Sequence, residues 1–120
     1  MKLKNTLIVV NDIEKSIDFY TQLFGLKVIL HTEGTVILTE GLVLQEMNSW
    51  EQVINKECIP NHNMSLLYFE ETNIEEFQKK LEEYLERVEY VTPLTTYPWG
   101  KKVIRFYDFD GNLIEVGTPV

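Results

Sequence analysis

The chain has 120 residues, 44% of them apolar and 25% charged, with a formal net charge of −8 and a single cysteine, Cys58. That composition fits one soluble globular domain, and it excludes an intrachain disulfide, a thiolate metal cluster and a nucleic-acid partner, whose phosphates need a basic surface. No run approaches the roughly 20 apolar residues that span a bilayer, and the N-terminus lacks a signal-peptide pattern, so no membrane partner and a cytoplasmic location are expected.

In chain order, Leu3 to Val10 reads as a strand, with Thr6, Ile8 and Val10 on one side and Asn5, Leu7 and Val9 on the other. Asn11-Asp12-Ile13-Glu14 is a helix start, with Asn11 as the expected cap. Ile13, Ile17, Tyr20 and Phe24 form an apolar stripe, and Gly25 is placed to end the helix in a left-handed cap. Three strands are expected near Lys27–Thr32, Thr35–Thr39 and Leu42–Met47, separated by Glu33-Gly34 and Glu40-Gly41. The first module thus covers about residues 1–48, and a polar linker of about 49–63 follows, carrying Pro60 and a short helix capped by Ser49.

The plan then restarts, giving a second module of about residues 64–120. Met64 to Phe69 is a strand, and Thr72-Asn73-Ile74-Glu75 is a second capping box. Ile74, Phe77, Leu81 and Tyr84 make the second stripe; the glutamates around them are the helix's solvated outer face. Strands follow near Arg87–Thr92, Lys102–Tyr107 and Asn112–Gly117, with Tyr97-Pro98-Trp99-Gly100 as an irregular approach. Asp12-Ile13-Glu14 and Asn73-Ile74-Glu75 mark a repeat of roughly 60 residues. One helix cannot cover both faces of a four-stranded sheet. The expected fold is therefore α+β: two βαβββ modules forming a curved, partly closed mixed sheet around a cleft, with the helices outside.

Within the last hairpin, Glu115 sits between Ile114 and Val116. A carboxylate inside an apolar strand needs a partner. It is a candidate ligand for a cation or polar substrate, or it pairs with Arg105 or a nearby lysine. Trp50, Tyr97 and Trp99 lie in loops near strand ends, where a flat ligand can stack on them or where they serve packing or dimer contact, the role favoured for Trp50.

Asn11-Asp12-Ile13-Glu14-Lys15-Ser16-Ile17-Asp18-Phe19-Tyr20, followed by Leu23-Phe24-Gly25-Leu26, resembles the opening motif of the vicinal oxygen chelate superfamily, which includes glyoxalase I, bleomycin-resistance proteins and extradiol dioxygenases. Asp108-Phe109-Asp110-Gly111-Asn112-Leu113-Ile114-Glu115 resembles its closing motif, with Phe109 in place of a proline. The resemblance implies paired βαβββ modules and, in metal-dependent members, four concave side chains around one divalent ion. Those four slots fall on Asn5, Gln45 (Glu46 if the register slips by one), Met64 and Glu115, with His62 two residues before the third. One anion, two amides and a thioether are a poor home for Zn²⁺, Ni²⁺, Mn²⁺ or Fe²⁺, so no cofactor is expected.

The resemblance therefore implies a homodimer that binds a small organic ligand through Asn5, Gln45, Met64, Tyr68, Trp99 and Glu115, by sequestration or in resistance, with Glu115 the best candidate for any catalytic role. The alternative is a glyoxalase-type metal-dependent lyase or isomerase using Glu115, Gln45 or Glu46, and His62. A third reading is an interaction module whose sheets serve only dimerisation.

Overall fold

In the computed structural model, which describes residues 1–119, the two halves of the chain fold as separate units, Met1–Ile59 and Pro60 onward. The first unit contains β1 (Thr6–Val10), α1 (Ile13–Phe24), β2 (Val28–Thr32), β3 (Thr35–Leu38), β4 (Leu42–Glu46) and α2 (Met47–Ile54). The second contains β5 (Leu67–Glu70), α3 (Ile74–Glu83), β6 (Glu89–Thr96), β7 (Lys102–Tyr107) and β8 (Leu113–Gly117). The expected α+β class and two βαβββ modules are both present. No helix among the described residues is long and apolar enough to cross a membrane.

The two units share one topology, with sheet orders β1-β4-β3-β2 and β5-β8-β7-β6. In each, the first strand pairs parallel with the last, and the remaining neighbours are antiparallel. A parallel pair needs a crossover, which the helix and the two intervening strands supply. Period-two alternation then sorts the side chains. Ile8, Val10, Val36, Leu38, Leu42 and Leu44 are buried with Phe19, Tyr20 and Leu23 of α1. Ile104, Phe106, Ile114 and Val116 are buried with Ile74, Phe77 and Leu81 of α3.

The caps differ from expectation in detail. Asp12, not Asn11, caps α1: its carboxylate accepts from the Lys15 amide at 3.1 Å, the third residue of the helix, where a cap side chain reaches. The buried stripe is Ser16, Phe19, Tyr20 and Leu23, rotated from the expected one, so that Ile13, Ile17 and Phe24 are only half-buried. Gly25 ends the helix at φ 70°, and α3 is capped by Asn73, one residue beyond Thr72, the first residue of the expected capping box. Met64 precedes the restarting strand, which begins at Leu67. The sixth strand runs on to Thr96, through Pro93, which an edge strand tolerates at an irregular register.

The helix α2 begins at Met47, ahead of the expected linker, and is capped by Glu46 rather than Ser49. The Glu46 carboxylate accepts from the amides of Asn48 at 2.6 Å and Ser49 at 3.2 Å, and Asn55 closes the helix in the left-handed region. A glutamate reaches these amides as well as a serine does, and its charge suits the positive end of the helix dipole. Farther on, the Pro60–Asn61 segment sits against the turn between β7 and β8. The Asn61 amide donates to the Gly111 carbonyl at 3.0 Å, and a Cβ on Gly111 (φ 81°) would stand 2.5 Å from the Asn61 nitrogen. Asp108 holds that turn from within, accepting from the amides of Asp110 and Asn112, both at 2.9 Å.

Candidate functional site

The sheet face away from α3 carries the chemistry of the second unit. Strand register sets Tyr68 beside Glu115, Glu115 beside Arg105, and Arg105 beside Thr92, a row across β5, β8, β7 and β6. The neighbours Ile104, Phe106, Ile114 and Val116 turn to the helix, so alternation sends the row to the opposite face.

Glu115 is not an open carboxylate. Arg105 Nε donates to its Oε1 at 2.6 Å, the two side chains being 15% and 29% exposed for Glu115 and Arg105 respectively. Arg105 Nη1 also donates to the Tyr97 hydroxyl at 3.1 Å and to Thr92 Oγ1 at 3.3 Å. The bonds to Tyr97 and Glu115 hold the guanidinium above its ordinary pKa against the opposing cost of burial.

A second cation lies on the same face. Lys101 Nζ donates to the Tyr68 hydroxyl at 2.9 Å and sits 4.8 Å from the ring centroid. That bond raises the ammonium's pKa, with Glu115 and Glu70 adding to it and desolvation opposing. Gly117 makes the arrangement possible, because a Cβ there would stand 2.8 Å from the Tyr68 hydroxyl and 3.0 Å from Lys101 Cε. Tyr97 and Trp99 stack at 4.9 Å and 6°, on a tight turn closed by the Gly100 amide on the Tyr97 carbonyl. Trp99 is 67% exposed.

In the first unit the equivalent row is Val9, Gln45 and Thr35. This fixes the register question: Gln45 shares a face with Val9, whereas Glu46 pairs with Val10 and caps α2. Gln45 Oε1 accepts from Thr35 Oγ1 at 2.7 Å, and its Nε2 donates to Ser49 Oγ at 3.1 Å. Asn5 is exposed just ahead of β1, beside Gly41. Met64, 82% exposed, precedes β5, and its amide donates to His62 Nδ1 at 3.2 Å, so one imidazole nitrogen is already engaged by its own loop.

Of the expected site residues, the second unit thus brings together Tyr68 and Glu115, with Trp99 held to them through Tyr97 and Arg105. Gln45 stands in the first unit in its own network. Among the described residues no group of three or more His, Cys, Asp or Glu side chains could hold a metal ion. The donor set does not fit a divalent cation. Its one strand carboxylate already meets a fixed positive charge, and Gln45 spends both ends of its amide on neighbours. Lys101 and Thr92 escaped the sequence reading. Pairing residues outward from the Asp108–Asn112 turn points to Arg105 opposite Glu115, but nothing in the sequence signals that Lys101 folds back over Tyr68.

Residues 3–120 match the family model of the glyoxalase-like domain. No curated protein matches the chain. Among solved structures, a protein of unknown function from Agrobacterium tumefaciens str. C58 is 30% identical, with a TM-score of 0.79 over 100% of this chain and 95% of that one. The genomically encoded fosfomycin resistance protein FosX from Listeria monocytogenes is 17% identical, with a TM-score of 0.77 over 100% and 94%. A glyoxalase/bleomycin resistance protein/dioxygenase family enzyme from Burkholderia phytofirmans PsJN is 14% identical, with a TM-score of 0.81 over 98% of each chain. The last two likenesses speak to the fold alone.

Proposed function

The chain belongs to the glyoxalase-like domain family, within the vicinal oxygen chelate superfamily, and from that premise we propose that it binds a small organic molecule without a metal ion, as a sequestering protein rather than a lyase. The observation that carries this reading is the Arg105–Glu115 pair. In metal-dependent relatives the position of Glu115 is a ligand slot. Here a guanidinium holds that carboxylate at hydrogen-bond distance, and a dication would have to displace it at a cost in Coulomb energy and in lost hydrogen bonds.

What remains on that face suits binding: an exposed indole stacked on a tethered phenol, and polar groups fixed by their neighbours. Small-molecule sites are commonly built from apolar and aromatic walls with a few fixed donors. A homodimer is the working form in this reading. Val28, Ile29 and Leu30, all exposed on the edge strand β2, support self-association.

The test is elemental analysis of protein purified without chelators or an affinity tag, before and after loading with Zn²⁺, Ni²⁺, Mn²⁺ or Fe²⁺, with a thermal-shift ligand screen in EDTA. The expected result is far less than one metal per chain and ligand-dependent shifts that survive EDTA. Near-stoichiometric metal that is lost on Glu115→Ala would overturn the proposal in favour of a glyoxalase-type lyase or isomerase. Sedimentation analysis giving a monomer at all concentrations would remove the dimer.

A further inference from the structure

We propose that the ligand is a small flat organic anion, its acid group held by Arg105 and Lys101 and its conjugated body laid against Trp99. This rests on the binding reading above and names the ligand class.

Both cations keep donors in reserve. A guanidinium carries five N–H groups. Arg105 spends Nε on Glu115 and Nη1 on Tyr97 and Thr92, and its Nη2 makes no hydrogen bond among the described residues. Lys101 has three ammonium hydrogens, one of them on Tyr68, and no carboxylate within ion-pair distance among the described residues. In a chain of net charge −8, a protonated lysine whose one hydrogen bond goes to a phenol leaves its other ammonium hydrogens for a ligand.

Both cations interact with Glu115, Arg105 by a hydrogen bond and Lys101 through its field. Lys101 Cε lies against Gly117, two residues beyond Glu115 on the same face of β8, which is about 7 Å along a strand. An acid group placed between them would take a charge-assisted hydrogen bond from each. The bond to Tyr68 raises the Lys101 pKa, and Glu115 and Glu70 add to it through their fields without occupying its hydrogens.

The flat body follows from the turn between β6 and β7. It carries Tyr97, Trp99 and Lys101 together, and two tethers hold it to the sheet: Tyr97 to Arg105, and Lys101 to Tyr68. The stacked pair is therefore fixed relative to both cations. Tyr97 covers one side of the indole, and the rest of Trp99 is exposed. A rigid ring there binds with little loss of conformational freedom.

The test uses 2-naphthoate, 2-naphthamide and 2-naphthylmethylammonium, titrated calorimetrically at pH 7 and low salt. Naphthoate is expected to bind at least tenfold tighter than the amide, and the ammonium weakest. Lys101→Met and Lys101→Gln, each checked for native circular dichroism, are expected to remove the acid-over-amide difference. Trp99→Ala is expected to weaken acid and amide alike by about tenfold. Equal affinity for acid and amide, or a preference for the ammonium, overturns the anionic ligand while leaving small-molecule binding in place. The anionic ligand is also overturned if all three fail but a neutral or cationic compound from the thermal-shift screen binds. If nothing binds at all, both readings fall.

Discussion

Glu115→Ala removes the carboxylate that Arg105 holds at 2.6 Å and leaves the guanidinium on Tyr97 and Thr92 alone. Breaking a fully buried ion pair costs about 3–5 kcal/mol, whereas exposed pairs contribute about 0.2–1 kcal/mol. With side-chain exposures of 15% and 29%, this pair lies between those limits, and screening by solvent on the arginine side lowers the figure. The single variant is therefore expected to lose about 2–3 kcal/mol, read as a fall of about 1–2 M in the urea midpoint at an ordinary slope. The assay is a double-mutant cycle by urea denaturation with Arg105→Ala and the double variant. The expected coupling is about 1–2 kcal/mol, so the double variant loses less than the two singles together. A coupling below about 0.3 kcal/mol would refute the reasoning, since independent sites add within that margin. Glu115 would then be an available ligand, and the case against a metal would lose its foundation.

Gly111→Ala should destabilise the protein by about 2–5 kcal/mol, combining positive-φ strain with the collision against Asn61. Gly25→Ala, at φ 70° with nothing within 4 Å, carries the strain alone, about 1–2 kcal/mol, and equal losses in urea would show that Pro60–Asn61 does not pack on the turn. Asn73→Ala removes the α3 cap and is expected to cost about 1 kcal/mol, with thermal unfolding as the measure; no change would mean that the Glu76 amide finds another partner. The hydrogen bond from Lys102 holds the Glu75 carboxyl below its ordinary pKa. A depressed carboxylate adds stability above its unfolded pKa and loses it as pH falls through the folded value. An NMR titration should therefore move Glu75 upward in Lys102→Met, and an unchanged Glu75 would assign the shift elsewhere.

The modules were legible because both halves combine the same three signals: alternation, a side-chain cap and an apolar stripe. Asn73 and Gly25 behave as their residue types dictate. The α1 stripe was harder, because Phe19 and Ile17 are both apolar and only packing decides which turns inward. The site was legible as a strand position but not as a network. Glu115 is marked by its apolar neighbours, yet whether it meets a cation or a guanidinium depends on a residue across the sheet. Gln45 and Glu46 stand next to each other in sequence, and only the pairing with Val9 and Val10 separates the strand amide from the helix cap. Lys101 over Tyr68 depends on the absence of a side chain at Gly117, an effect of space that no local pattern carries.

The parallel pairing of each unit's first and last strands also orders the events of synthesis. On the ribosome, β1 must wait for β4, and β5 for β8, because no hairpin can bring such partners together early. The first unit can close while the second is still being made. The second reaches its ladder only when β8, carrying Glu115 and Gly117, has emerged. Until then neither edge of β5 is paired, so the second unit is most open to aggregation before β8 emerges.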